Sequence, residues 1–118
     1  MKGGRGFPIA CLACALVLLG CRDRPDDSVT DGWLGVWKGP EGTFLRIEGG
    51  KGSYSITIQN LDGPMTYKGS AAGARIEFER SGVNEVIRAT NGAETGMKWL
   101  ADKSHCLTIR PGEGFCRD

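Results

Sequence analysis

Short runs in which apolar and polar side chains alternate dominate the chain, and these runs limit it to a β fold. In the clearest run, at 53–59, Tyr54, Ile56 and Ile58 alternate with polar neighbours. Successive side chains of a strand point to opposite faces of the sheet, so the pattern predicts a strand with one buried face. The same period of two places Leu45, Ile47, Ile76, Phe78, Leu107 and Ile109 on the buried faces of strands at 44–48, 75–79 and 106–110. Further strands are predicted at 33–37, 65–69, 85–89 and 97–100.

The breaks between the runs determine how these strands connect. Most breaks are short and rich in glycine, as in Gly49-Gly50-Lys51-Gly52 and Asn91-Gly92. Such connections join antiparallel neighbours but leave no room for a helix that crosses the sheet. We therefore expect an all-β fold, a small antiparallel up-and-down barrel of about eight short strands, whose interior side chains would fill. An alternative is open at 94–103, where Met97, Leu100 and Ala101 would also share one face of a short helix.

The first 20 residues are organised as a secretory signal peptide. Lys2 and Arg5 precede an apolar run from Phe7 to Leu19. This run is shorter than the roughly 20 apolar residues that a membrane-spanning helix needs, so we interpret 1–20 as a segment that is removed. Its end, Leu18-Leu19-Gly20-Cys21, resembles the lipobox of bacterial lipoproteins. That resemblance implies cleavage before Cys21 and attachment of acyl chains to the new N-terminus, which would hold the protein at a membrane.

The lipobox resemblance also implies a location and a domain organisation. Arg22 follows the cysteine, where lipoproteins retained in the inner membrane of Gram-negative bacteria carry aspartate. We therefore expect attachment to the outer membrane, facing the periplasm. The lipidated cysteine and a polar, aspartate-rich tether would occupy 21–32, and a single β-barrel domain would occupy 33–118.

Cysteine usage and charge narrow the chemistry of the processed chain. Cys106 and Cys116 are the cysteines that remain after cleavage and lipidation, and in an oxidising compartment we expect them to form one disulfide. A metal site with His105 is the alternative, but adjacent strand residues point to opposite faces and a fourth ligand is not evident. The 98 residues after the cleavage site carry 13 basic and 14 acidic side chains, which argues against a nucleic-acid partner.

Three further resemblances bear on the barrel. Gly35-Val36-Trp37 resembles the Gly-x-Trp start of lipocalins, in which the tryptophan packs on a late arginine; Arg110 would be that arginine here. The overall plan resembles that of membrane-bound inhibitors of c-type lysozyme, with Ser70-Ala71-Ala72-Gly73-Ala74-Arg75 as a distant counterpart of their functional loop. The stretch 96–118 is similar to the end of a proteobacterial lipoprotein family of unknown activity. These resemblances imply a carrier of a small apolar ligand or an inhibitor or immunity protein.

The sequence offers little for catalysis. His105 is the single histidine, and no serine or cysteine stands in a recognisable nucleophile context. Glu77 and Glu79 share a strand face, as solvated surface charges usually do. We therefore expect a non-enzymatic binding or accessory module of the cell envelope, without cofactor or metal, whose partner is an envelope protein or a glycan. The candidate binding residues are aromatic or basic, the usual anchors of interfaces: Trp33, Tyr67, Lys98 and Trp99.

Overall fold

The computed structural model describes residues 27–117, so the signal segment 1–20, Cys21 and the residues 22–26 lie outside the described part. It begins with one short helix, α1 (Asp27–Asp31). The strands are β1 (Gly35–Lys38), β2 (Phe44–Gly50), β3 (Ser53–Asn60), β4 (Gly63–Ala71), β5 (Arg75–Arg80), β6 (Val83–Thr90), β7 (Cys106–Arg110) and β8 (Glu113–Cys116). Short 3-10 helices lie at Pro40–Gly42, Ala93–Thr95 and Lys98–Leu100. Within 27–117, no helix is long and apolar enough to cross a membrane.

The eight strands form a closed antiparallel barrel in the order of the chain. Each strand pairs with the next, and β8 returns to β1, where Lys38 pairs with Cys116. This confirms the prediction of an all-β up-and-down barrel. It also confirms the disulfide, because Cys106 and Cys116 are bonded across neighbouring strands β7 and β8.

The interior of the barrel is packed with the side chains that the alternation predicted. Tyr54, Ile56 and Ile58 are all buried. They belong to a continuous cluster of 13 buried residues that includes the other six predicted core positions. The register explains this, because Ile47 pairs with Ile56 and Ile56 pairs with Tyr67, and paired residues of antiparallel strands point to the same face.

The segment 97–100 is not a strand, so that prediction was wrong. Strand β6 pairs directly with β7, with Arg88 opposite Thr108, which leaves 91–105 as a loop outside the barrel wall. Two apolar residues of this loop face the barrel from outside: Leu100 packs on the disulfide, and Met97 packs against the same cluster. The eighth strand is instead β8, formed by the tail that follows the Pro111-Gly112 turn.

The predicted tether also ends earlier than expected. Residues 27–31 form α1 rather than a solvated linker, because Thr30 is fully buried and its hydroxyl lies 2.6 Å from the Tyr54 hydroxyl. The Tyr54 hydroxyl donates to Asp31, which also accepts from the backbone N–H of Lys51 at 2.8 Å. In the described part of the chain, α1 therefore belongs to the folded domain, and it lies over one end of the barrel, which we call the entry end.

Candidate binding surface

A stacked pair of residues closes the entry end. The guanidinium carbon of Arg117 lies 3.9 Å from the centroid of the Trp37 ring. Arg117 also donates to the carbonyls of Gly32, at 2.7 Å, and Leu34, at 3.1 Å. The arginine that packs on Trp37 is thus Arg117, and the prediction of Arg110 was wrong. Arg110 ends β7 at the opposite end of the barrel, whereas β8 brings the chain back to the entry end and to Arg117.

Arg110 instead belongs to an ionic network at the far end of the barrel, where β5 meets β6 and β7 meets β8. It forms a short ion pair with Glu85, which is only 5% exposed. Arg80 donates to Glu85 at 3.0 Å and to both carboxylate oxygens of Glu113 at 2.7 Å. The buried carboxylate is therefore paired with two arginines, as a buried charge requires.

This network sets the protonation of Glu85. Burial by itself raises the pKa of the Glu85 carboxyl, but hydrogen bonds from Arg110 and Arg80 and their positive charges outweigh it, so the net pKa is lowered. The pKa of Arg80 is raised, first by its hydrogen bond to Glu113, although burial opposes the change. Glu85 and Arg80 are therefore both charged at neutral pH. With two arginines and two glutamates, the network has a formal net charge of zero. The far end therefore holds a stabilising ion cluster.

The loop 91–105 is held rigidly against the barrel by hydrogen bonds at its turns. The backbone N–H of Gly92 donates to the carbonyl of Lys103 at 2.8 Å, which joins the two ends of the loop. The buried Thr95 hydroxyl donates to the Gly92 carbonyl at 2.6 Å and accepts from the N–H of Met97 at 3.0 Å. The Thr95 carbonyl accepts from the N–H of Gly112 at 2.7 Å, which ties the loop to the β7–β8 turn.

This fixed loop presents an exposed tryptophan. Leu100 is buried against the disulfide, and Trp99, its neighbour in the same 3-10 helix, is 75% exposed. Lys98 is exposed beside it. The anchored loop holds the Trp99 side chain in solvent, whereas the other two tryptophans, Trp33 and Trp37, are buried. The pattern of the sequence could not distinguish the exposed tryptophan from the two buried ones.

A surface pocket of about 460 Å³ continues the exposed region from the loop onto β1 and β8. Its lining includes Leu100 and Lys103 from the loop and Val36 and Lys38 from the outer face of β1. Val36 is 41% exposed. We call the set Val36, Lys38, Lys98, Trp99 and Lys103 the Trp99 surface. It combines apolar residues with lysines from β1 and from the loop, which the sequence alone could not bring together because the two segments are 60 residues apart.

The four predicted binding residues do not form one site. Trp99 and Lys98 lie together on the loop, but Trp33 is buried at the entry end, where its carbonyl accepts from the Trp37 indole N–H at 2.8 Å. Tyr67 is half-buried on β4, with its ring centroid 5.4 Å from that of Phe78. Strand β4 lies four strands away from β8 around the barrel.

The residues considered for catalysis do not form one group, and the two cysteines considered as metal ligands beside His105 are joined in the disulfide. His105 is exposed beside a pocket of about 630 Å³ at the entry end, which Glu94, Ser104, Trp33 and Arg117 also line. Glu77 and Glu79 lie on the outer face of β5. No group of three or more histidine, cysteine, aspartate or glutamate side chains able to hold a metal occurs between residues 27 and 117.

Comparison with known proteins leaves the fold and the Trp99 surface as the basis for assigning a function. No family model, no curated protein and no solved structure matches this chain.

Proposed function

We propose that this chain is a lipid-anchored protein of the cell envelope that acts as a non-enzymatic binding module close to the membrane. The observation that carries the proposal is Trp99, which is 75% exposed on a loop whose base packs on a disulfide. Tryptophan is enriched among the residues that dominate binding energy at interfaces. An indole kept in water by folded structure is therefore a candidate contact residue.

The rigidity of the loop supports a binding role. Ordering a flexible loop on binding lowers affinity, at a cost of about 0.5–1.5 kcal/mol for each immobilised side chain. The Gly92–Lys103 and Thr95–Gly112 hydrogen bonds and the Leu100 contact with the disulfide order this loop before a partner arrives. The Trp99 surface is preorganised in this sense.

The start of the folded domain at α1 supports a location near the bilayer. If Cys21 is acylated, only six peptide units separate it from Asp27, and at full extension these span about 21 Å. The entry end would then stay within that distance of the membrane surface. The outer membrane of a Gram-negative cell, with the domain in the periplasm, is the location that Arg22 favours.

The packed interior favours surface binding over the alternative of a lipocalin-type carrier. Thirteen buried hydrophobic residues occupy the barrel and contact one another, and Ile47, Ile56 and Ile76 are essentially inaccessible to solvent. The alternative of a lysozyme inhibitor would use the β4–β5 connection around Gly73, which is exposed and lies on the side of the barrel away from Trp99.

Site-specific photo-crosslinking in living cells tests the proposed binding role. A photoreactive amino acid replaces Trp99 in one variant and Lys68, an exposed residue of β4, in a matched control. We expect adducts from position 99 and few from position 68. Equal adducts at both positions, or none at position 99 in a chain that is folded and exported, would refute a binding role for this surface.

A further inference from the structure

The charged residues of the Trp99 surface are all lysines. Lys38 and Lys98 are exposed, Lys103 is half-buried, and Arg117 lines the same pocket as Lys38 and Lys103. Within residues 27–117, none of the three lysines takes part in an ion pair. The residues that line this pocket include three basic side chains and no acidic one.

The apolar residues of the surface are suited to a lipid–water interface. Tryptophan is enriched where membrane proteins meet lipid headgroups, since its ring is apolar and its N–H is polar. Trp99 and Val36 supply exposed apolar area, and Lys38 and Lys103 line the same pocket as Val36. Apolar anchors with basic neighbours are the arrangement by which peripheral proteins lie on anionic bilayers.

The position of the surface on the barrel fits the same partner. Arg117 connects the surface to the entry end, because it lines the pocket and donates to the carbonyls of Gly32 and Leu34 just after α1. The proposed acyl anchor lies within about 21 Å of Asp27. A tether of that length confines the domain at a high local concentration beside the bilayer, so weak contacts suffice for docking.

From the charge, the exposed indole and the short tether, we infer that the Trp99 surface docks on the anionic phospholipid bilayer in which the protein is anchored. The barrel then lies with β1, β8 and the 91–105 loop toward the headgroups. This inference rests on the proposed function, because it identifies the partner of the same surface. It predicts binding that weakens with ionic strength and loses about fivefold in affinity for each lysine removed.

Tryptophan fluorescence of the full lipidated protein, reconstituted in vesicles, tests the inference. Trp33 and Trp37 are 7% and 4% exposed, so changes in emission on docking report Trp99. We compare vesicles of phosphatidylcholine with vesicles that also contain phosphatidylglycerol, each with brominated lipid as quencher. The expected result is a blue shift and strong quenching in the anionic vesicles only, both lost at high salt and absent in Trp99→Phe.

Charge variants establish that the lysines act as a docking surface. Replacing Lys38, Lys98 and Lys103 together with glutamine should reduce quenching in anionic vesicles to its level in neutral vesicles. Replacing Lys51, Lys68 and Arg75, which are exposed elsewhere on the barrel, removes the same charge and should leave quenching unchanged. Matching thermal unfolding curves for both variants would show that the fold is intact.

The outcomes separate this inference from the proposed function. An anchored protein whose Trp99 emission is the same in neutral and anionic vesicles, or whose quenching falls equally in both charge variants, refutes docking on lipid. Crosslinks from position 99 to a protein or a glycan, together with that result, would leave a binding module with a different partner. A protein that carries no lipid would instead refute the proposed anchoring.

Discussion

Gly92 lies so close to the carbonyl of Leu100 that a β-carbon at position 92 would overlap the carbonyl oxygen. This approach brings the two ends of the 91–105 loop together and places Leu100 on the disulfide. The exposed indole of Trp99 follows from that arrangement, because the residue beside it in the 3-10 helix is fixed inward. The chain therefore builds the Trp99 surface from backbone contacts that tolerate no side chain at position 92.

Gly92→Ala should disrupt the loop without unfolding the barrel. The added methyl group overlaps the Leu100 carbonyl, and accommodating it requires a shift of backbone that we expect to cost about 1–3 kcal/mol. Urea denaturation measures the loss, and the fluorescence anisotropy of Trp99 should fall. Ala93→Ser, an exposed change one residue away, is the control and should alter neither quantity. Unchanged stability in Gly92→Ala would contradict the observed geometry.

Removing the disulfide should destabilise the domain and free the loop. Cys106 and Cys116 are 10 residues apart, and closing a loop of that size restricts the unfolded chain by roughly 2.5–3 kcal/mol in the entropic model. The double change of both cysteines to serine also removes the surface on which Leu100 packs. We expect a lower urea midpoint than for the oxidised protein and a similar loss when the native protein is reduced. Equal midpoints with and without reductant would contradict this account.

Arg117→Ala should weaken the seam between β1 and β8. The pairing of β1 with β8 is short and joins Lys38 to Cys116. The contacts of Arg117 with Trp37 and with the carbonyls of Gly32 and Leu34 therefore help to hold this junction together. The cation–π contact and two hydrogen bonds together predict a loss of about 1–2 kcal/mol in unfolding free energy. Arg117→Lys keeps the charge but not the two-carbonyl geometry, and we expect it to recover less than half of the loss. Arg75→Ala, at an exposed position on β5, serves as the control.

The ionic network should make stability depend on acidic pH. The pKa of Glu85 in the folded protein is lowered from its ordinary value of 4.5, so the unfolded state binds this proton more readily. The stabilisation is therefore fully present above pH 4.5 and is lost as the pH falls through the lower pKa of the folded state. Glu85→Gln should reduce stability at neutral pH and flatten the acid limb of the stability curve. Urea midpoints of both proteins between neutral and strongly acidic pH measure the effect, and parallel curves would contradict it.

The barrel could be predicted from the sequence because its signal is local and repeated. Tyr54, Ile56 and Ile58 show the alternation that a half-buried strand requires, and their neighbours in space show it too. The short glycine-rich turns then leave only antiparallel neighbours. Period and turn length together determine an up-and-down topology without knowledge of any distant contact.

The errors arose where the structure depends on contacts that are distant in sequence. Met97 and Leu100 are apolar because they cover the outside of the wall and the disulfide, and a strand interior would require similar residues. Thr30 is polar, yet it is fully buried, because its hydroxyl forms a hydrogen bond with the Tyr54 hydroxyl. Arg110 ends β7 at the far end of the barrel, and Arg117 follows β8 at the entry end, where Trp37 lies. Choosing between the two arginines therefore required knowing that β8 is the last strand. The Trp99 surface combines β1 with a loop 60 residues later, and no local pattern signals that combination.

Metabolic labelling tests most directly the proposal that the domain is held at a membrane through Cys21. Cells that express the full chain are grown with an alkyne-bearing palmitate, and the purified protein is examined for label and for the mass of its N-terminal peptide. We predict that the wild-type chain begins at an acylated Cys21, that Cys21→Ser carries no label, and that Cys14→Ser, a change in the predicted signal segment, is labelled like the wild type. Equal labelling of Cys21→Ser, or an unlabelled wild-type chain that begins elsewhere, would contradict the account.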